Sequence, residues 1–199
     1  MSASVGLDRA RVVEAAAALV DEQGTESFTL AALAARLGIR SQSIYAHVAG
    51  LDQLRRALAL LALEDLGRRL GRAAMGRSGR NALHALAEVH AAFAAERPGL
   101  YACSLRSPKG DEELARRING VSEPWYAVLA SFGLGPSEVA HYHRILWAAI
   151  HGFVTLRGQG LMTRDADPDR SFRLMIDLFT DSLDAGGAAT EKEDIRPIG

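Results

Sequence analysis

A short polar segment directly after Gly38 carries side chains that are well suited to hydrogen bonding with nucleic-acid bases. Residues 38–47 read GIRSQSIYAH. The amide of Gln42 can pair bidentately with adenine, and the guanidinium of Arg40 can pair with guanine or with a phosphate. Ser41 and Ser43 are small enough for the backbone to approach a partner closely. The segment therefore indicates contacts with DNA, provided that neighbouring elements hold it at the surface.

Two short helices are predicted on either side of Gly38. Thr29 is a good N-cap, and apolar residues at helical spacing follow it, namely Leu30, Leu33, Ala34 and Leu37. Gly38 ends this helix, because glycine enters the left-handed region without a steric penalty. Ser41 can cap the next helix, which holds Ile44, Tyr45 and Val48. Two short helices joined by a tight glycine turn predict a helix-turn-helix, whose second helix reaches base edges with its N-terminal residues.

The 199-residue chain is predicted to be all-α, with about nine helices and no strand. A first helix begins at Asp8 and ends at Gly24, and a long helix with a leucine stripe follows Gly50. The segment PGLYACSLRSPKG is expected to be irregular. DEELARRING and SEPWYAVLASFG are expected to form two separate helices, with Pro124 in the first turn of the second.

The predicted organisation is a small N-terminal domain followed by a larger helical domain. Residues 1–50 form the helix-turn-helix domain, and residues 51–75 form a connecting helix. Residues 76–185 form a domain for ligand binding and dimerisation, and residues 186–199 form a disordered tail.

Composition and charge narrow the class of protein. The net charge is −1, and residues 1–80 carry +3 whereas residues 81–199 carry −4. The one cysteine excludes an intramolecular disulfide. The N-terminus does not resemble a secretory signal, and no apolar run approaches the ~18 residues of a membrane span. We therefore expect a cytoplasmic protein that does not enter a membrane.

The segment FTLAALAARLGIRSQSIYAHV, followed by LDQLRRAL, resembles the DNA-binding domain of the TetR family of bacterial transcription regulators. The matching features are Thr29, the run from Leu33 to Ile39, the run from Ile44 to Val48 and Leu54. The resemblance covers about residues 8–58. It implies an all-helical homodimer, in which each subunit binds half of a near-palindromic operator and a small molecule releases the DNA. It also implies these DNA-binding residues: Thr29, Arg40, Ser41, Gln42, Ser43, Tyr45, Ala46 and His47.

One departure from the family pattern concerns phosphate contacts. Members usually carry Lys at one or both of the positions that Ala49 and Leu51 occupy here. Phosphate anchoring is then expected from Arg40, Tyr45, His47, the start of the fourth helix, and Arg9 or Arg11. Fewer cationic contacts release fewer counterions, so the sequence predicts a modest salt dependence of DNA binding.

The segment WAAIHGFVTL, with Trp147, His151 and Gly152, resembles the Trp-x-x-x-His-Gly signature of the WHG subgroup of TetR-like C-terminal domains. In this family the last two long helices, here about Pro136–Gln159 and Pro168–Leu183, form the dimer interface. The apolar stripe that suits this role is Phe172, Met175, Ile176, Phe179 and Leu183.

Large side chains of the C-terminal half are candidates for a largely apolar effector pocket. They are Phe93, Tyr101, Trp125, Tyr126, Trp147, His151 and Met162. Each of them also fits an ordinary place in the core.

Other functions find less support in the sequence. His141 and His143 lie about 200° apart on one predicted helix, so no metal site and no cofactor are expected. Cys103 fits a small buried residue better than a redox thiol. No hydrolase elbow, phosphate loop or His-Glu-x-x-His motif indicates an enzyme. The remaining alternatives are an activator of the same fold, or a protein-interaction module without sequence-specific DNA binding.

Overall fold

The computed structural model describes the backbone of residues 7–193 and the side chains of residues 7–185. Over this part of the chain it contains nine helices and no strand, which confirms the predicted all-α class. The helices are α1 (Arg9–Gln23), α2 (Leu30–Leu37), α3 (Ser41–Ile44), α4 (Leu51–Ala74), α5 (Gly79–Glu96), α6 (Pro98–Ser104), α7 (Glu112–Ala130), α8 (Pro136–Gly158) and α9 (Pro168–Glu193). No helix of the described part is long and apolar enough to span a bilayer.

Two units of the fold combine segments that are separate in the sequence. The first unit contains residues 7–65 and 96–117, and the second contains residues 66–95 and 118–193. The predicted division assigned residues 96–117 to the C-terminal domain. The structure instead packs α6 of that segment against α1, a return of the chain that local sequence patterns do not reveal.

The helix ends around the helix-turn-helix form as their capping residues predict. The carboxylate of Asp8 accepts a hydrogen bond from the Arg11 amide at 2.8 Å. The hydroxyl of Thr29 accepts one from the Ala32 amide at 3.1 Å. Gly38 has a φ of 66°, in the left-handed region. These local interactions satisfy backbone groups that a helix end would otherwise leave unpaired.

Helix α6 lies where the sequence predicted an irregular segment. Pro98 occupies its first turn, where no amide hydrogen is needed. The carboxylate of Asp21 in α1 accepts hydrogen bonds from the Leu100 amide at 2.8 Å and from Arg97 Nε at 2.5 Å. The helix is therefore stabilised by partners far away in the sequence.

Helix α7 is continuous where two helices were expected, and Pro124 lies inside it. Proline removes one helical hydrogen bond. The helix nevertheless continues, because Trp125, Val128 and Leu129 just beyond the proline are buried. The merger removes one predicted helix, and α6 adds one that was not predicted. The total of nine in the described part of the chain therefore agrees with the prediction, although α6 and α7 differ from the predicted helices.

Helix α9 extends further than predicted. It continues through residues 186–193, which were expected to belong to a disordered tail, and residues 194–199 lie outside the described residues. The sequence reads GGAATEKE over residues 186–193. Alanine, glutamate and lysine are good helix formers, and adding residues to an existing helix costs less than starting one.

Candidate nucleic-acid interface

The segment after Gly38 forms a single short turn of α-helix and continues as hydrogen-bonded turns. Helix α3 begins after Arg40, whose carbonyl accepts from the Ser43 amide at 2.9 Å. Beyond Ile44, the amides of His47 and Val48 both donate to the Ile44 carbonyl, at 2.9 and 3.0 Å. Ser41 was predicted as the cap. The cap position belongs instead to Arg40, which makes no side-chain cap hydrogen bond.

Two buried residues anchor this segment, and its polar side chains face solvent. Ile44 is completely buried and Val48 is 5% exposed. The exposed residues are Arg40, Ser41, Gln42, Ser43, Tyr45 and Ala46, and His47 is half-buried. Tyr45 is 59% exposed, although it is a large aromatic residue. The sequence-predicted contact residues of this segment are thus brought together on one accessible turn.

Helix α2 is held in place beside this turn by two sets of contacts. The amides of Gly38 and Ile39 donate to the carbonyls of Ala35 and Ala34, at 3.2 and 3.0 Å, and so close the turn. Arg36 also forms a bidentate ion pair with Glu22 of α1, at 2.6 and 2.8 Å. Exposed ion pairs add little stability, but the paired geometry orients α2 on α1. Thr29 is exposed, and its hydroxyl serves as the N-cap of α2.

Two positions directly after the turn carry uncharged side chains. Ala49 is exposed and Leu51 is half-buried. Arg9 and Arg11 at the start of α1 are exposed. An exposed polar turn on a buried anchor, following a short helix and a glycine, is the geometry with which helix-turn-helix proteins enter the major groove. Fold and site therefore define a helix-turn-helix protein.

Comparison with known proteins gives the family. Residues 12–58 match the model of bacterial regulatory proteins of the tetR family, and residues 83–179 match the tetracyclin repressor-like C-terminal domain. The uncharacterized HTH-type transcriptional regulator Rv0681 of Mycobacterium tuberculosis is 36% identical over 172 residues, which cover 85% of this chain and 78% of that protein. The chain belongs to the TetR family of transcriptional regulators.

Solved structures share the fold at lower identity. A protein of unknown function from Rhodococcus sp. RHA1 has a TM-score of 0.78 and 21% identity, with 92% of this chain and 98% of that chain covered. The TetR family protein ActR of Streptomyces coelicolor has a TM-score of 0.62 and 20% identity, covering 92% of this chain and all of the other. Similarity at this level supports the fold.

The residues predicted to bind an effector are divided between the two units. Tyr101 belongs to the first unit, where burial raises the pKa of its phenol. The other six belong to the second unit. There Phe93 and Trp125 are buried, and Tyr126 and Trp147 are 43% and 45% exposed. His151 and Met162 are half-buried.

Sequence reasoning missed a histidine that the fold brings near this group. His90 of α5 is 2% exposed, and its ring centroid lies 6.2 Å from that of Trp125. Burial, together with the charges of His151 and His143, lowers the pKa of His90 to about 4. The rings of His143 and Tyr126 meet edge-on, with their centroids 4.8 Å apart. The rings of Trp147 and His151 are stacked, with their centroids 5.7 Å apart. No sequence pattern links His90 to α8, because only the tertiary fold brings them close.

The stripe predicted to form the dimer interface is placed mainly inside the chain's own core. Three of its residues are at most 6% exposed, namely Phe172, Ile176 and Leu183. The ring of Phe172 packs against that of Phe153, with the two centroids 5.1 Å apart. Met175 and Phe179 are half-buried. Side chains already covered within one subunit offer little surface to another. Among the described side chains, the large apolar residues that remain exposed on the last two helices are Ile145, Trp147 and Leu156 of α8 and Leu174 and Leu178 of α9.

The thiol of Cys103 is poorly suited to redox sensing. Burial raises its pKa to about 11. The thiolate is the reactive form of cysteine, and little of it is present near neutral pH. This environment supports the interpretation of Cys103 as a structural residue.

Proposed function

We propose that this regulator is a repressor that binds a near-palindromic operator as a homodimer and is released by a small-molecule effector. The observation that carries the proposal is the exposed turn of Arg40, Ser41, Gln42 and Ser43, held on the buried Ile44. Gln42 and Arg40 would make base or phosphate contacts, and Tyr45 and His47 would bind mainly phosphates.

The exposed apolar residues of α8 and α9 support the dimer. Ile145, Ala148 and Leu156 recur at helical spacing on α8, and all three are exposed. On α9, Leu174 and Leu178 are 52% and 72% exposed. Helices that keep apolar stripes in contact with water are typical of surfaces that a partner covers. A second copy of the chain would bury the same stripes on both subunits, as two-fold symmetry requires.

A largely apolar effector is supported by the aromatic residues of the second unit. Trp125, Tyr126 and Trp147 supply apolar area, and the neighbouring histidines supply a few polar groups, which is the usual composition of a ligand site. The similar structure of ActR is a complex with (S)-DNPA. By analogy, this chain would also bind a small molecule, and its own aromatic residues favour a site in the second unit.

The direct test is selection of bound fragments from the source genome by the purified protein, followed by sequencing. The expected result is one shared near-palindrome. Its half-sites should be centred about 34 Å apart along the duplex, or a near multiple of that distance. The Gln42→Ala variant should lose about 1–3 kcal/mol of binding free energy and relax specificity at one base position of each half-site. The matched Gln159→Ala variant, changed at an exposed position of the second unit, should bind normally.

An interaction module without sequence-specific DNA binding is the second candidate, because Ala49 and Leu51 lack the charge that commonly anchors phosphate. If the retained DNA fragments share no sequence, the interaction module is favoured over a repressor that binds a defined operator. Unchanged operator affinity of Gln42→Ala and Tyr45→Ala would show that α3 is not the recognition element. Repression and activation are separated by the expression of a reporter gene placed behind the selected site.

A further inference from the structure

The first unit contains a pocket that the proposed function does not use. Residues of the turn between α1 and α2, of the first half of α4 and of the C-terminal part of α6 border an open pocket of about 380 Å³. This volume lies within the range of small-ligand sites, which is about 300–1,000 Å³. The residues that line the pocket all belong to the first unit. It is therefore distinct from the aromatic group of the second unit.

The pocket combines an apolar part with charged groups. Phe28 is 2% exposed and Leu105 is 44% exposed, and both line the pocket with Cys103. The charged residues of the lining are Arg55, Arg106 and Glu26. The lining thus carries two guanidinium groups and one carboxylate, and Asp52 pairs with Arg106 from outside the lining. An apolar surface beside guanidinium groups suits a ligand that has both a hydrophobic body and an acidic group.

The two arginines keep hydrogen-bond donors available. Arg106 pairs with Asp52 through one nitrogen, Nη2, at 2.9 and 3.0 Å, and guanidinium has five N–H donors in all. Asp52 is itself 77% exposed, so water screens this pair. Arg55 is exposed on α4, where water solvates its guanidinium. Its charge nevertheless reaches Cys103, where it opposes the increase in thiol pKa that burial causes.

We propose that this pocket binds a small organic anion, a carboxylate carried on an aromatic or branched aliphatic body. The carboxylate lies between Arg55 and Arg106, and the apolar body packs on the exposed Leu105, next to the buried Phe28. Glu26 disfavours the anion and sets an upper limit on its charge. The wall formed by Thr25 and Phe28 directly precedes Thr29, the cap of α2, so a bound anion contacts the segment that leads into the helix-turn-helix.

Cys103 provides a native reporter of the pocket, since it is the one cysteine of the chain and lines the site. The experiment compares its labelling rate with two aromatic disulfides in DNA-free protein. Dithiobis-nitrobenzoate is anionic and dithiodipyridine is neutral. Both react with the same thiolate, so the ratio of the two rates cancels any change in the thiol pKa and measures the attraction of the pocket for an anion.

Opposite effects are expected from the two charge variants. Arg55→Gln should lower the anionic-to-neutral rate ratio about fivefold, as expected when one charge is removed from a partly exposed site. Glu26→Gln should raise the ratio. The matched variant Arg72→Gln, at an exposed position of the same helix and outside the pocket lining, should leave it unchanged. A ratio unaffected by Arg55→Gln, or lowered by Glu26→Gln, overturns the proposal.

Competition supplies the second measurement. Benzoate should slow the labelling of Cys103 by dithiodipyridine in a saturable manner, and benzamide, its neutral analogue, should not. Equal protection by both compounds would show an apolar cavity without preference for an anion, and no protection by either would show no binding. Neither result bears on the operator, because no DNA is present. Conversely, a failed operator selection would leave the labelling result intact.

Discussion

Gly99 at the start of α6 lies directly against the backbone of Val20 in α1. A β-carbon at position 99 would overlap the carbonyl group of Val20 and approach the amide nitrogen of Asp21. The same junction contains the hydrogen bond from the Leu100 amide to Asp21 and the ion pair of Arg97 with Asp21. The close contact of the two helices therefore depends on the absence of a side chain at residue 99.

The Gly99→Ala variant should be strongly destabilised. The atoms it would overlap are backbone atoms, which cannot move aside as a flexible side chain can, so we expect a loss of about 3 kcal/mol or more in the free energy of unfolding. Urea denaturation measures this loss. As a control, Gly71→Ala adds a β-carbon to α4 with nothing within 4 Å, and should stabilise the protein by about 0.5–1 kcal/mol. Equal stability of the two variants would contradict the close contact.

Introducing lysine at position 49 should strengthen DNA binding and increase its salt dependence. Ala49 is exposed directly after the polar turn, where members of the family commonly carry a cation. One additional phosphate contact per subunit changes the slope of log K against log salt by about 0.9 per contact. Fluorescence anisotropy on the selected operator at several salt concentrations measures this slope. Ala92→Lys, at an exposed position of α5, should leave it unchanged, and an unaltered slope for Ala49→Lys would place residue 49 away from the phosphates.

Replacing Leu178 by glutamate should weaken the proposed homodimer without unfolding the subunit. Leu178 is 72% exposed in the single chain, so the change costs little within one subunit. In a two-fold interface it buries two carboxylates, and we expect a cost of at least about 2 kcal/mol in dimerisation free energy. Light scattering across a dilution series measures dissociation. The control Leu161→Glu changes a 60%-exposed residue outside the helices. A dimer equally stable in both variants would indicate a different interface.

Folding stability should decrease as the pH falls from about 6.5 towards 4. Burial holds the pKa of His90 at about 4, below its ordinary value of 6.5, so the unfolded chain binds a proton in this window that the folded chain does not. Linkage then lowers the free energy of unfolding by about 3 kcal/mol over the window. Urea denaturation at several pH values follows this change. His90→Met should flatten much of the dependence, whereas His141→Gln, at an exposed position, should preserve it. A dependence unchanged by His90→Met would assign it to other groups.

Local chemistry allowed the helix-turn-helix to be predicted from the sequence. Asp8, Thr29 and Gly38 each act on backbone groups within a few residues, so their roles can be read without knowledge of the tertiary fold. Ser41 was the exception. Serine is a common N-cap, but the cap position of α3 lies one residue earlier, at Arg40. The accessible face of the turn was also predictable, since the apolar spacing of Ile44 and Val48 leaves the polar residues outside.

The parts that could not be predicted depend on contacts between distant segments. Helix α6 depends on Asp21, and nothing near Pro98 in the sequence reveals that partner. The apolar stripe of Phe172, Ile176 and Leu183 correctly indicated a buried face, but helical spacing does not distinguish burial within a subunit from burial between subunits. His90 could not be grouped with His143 and His151, because the three residues come from two helices far apart in the chain.

The discontinuous make-up of the first unit has a consequence for biosynthesis and for protein engineering. Its last segment ends at residue 117, so the ribosome must release more than half of the chain before α1 can meet α6. A fragment that stops at residue 50 would expose the surface of Val20 that Gly99 normally covers. A chimaera that transfers DNA recognition to another regulator should therefore carry residues 96–117 together with the N-terminal helices.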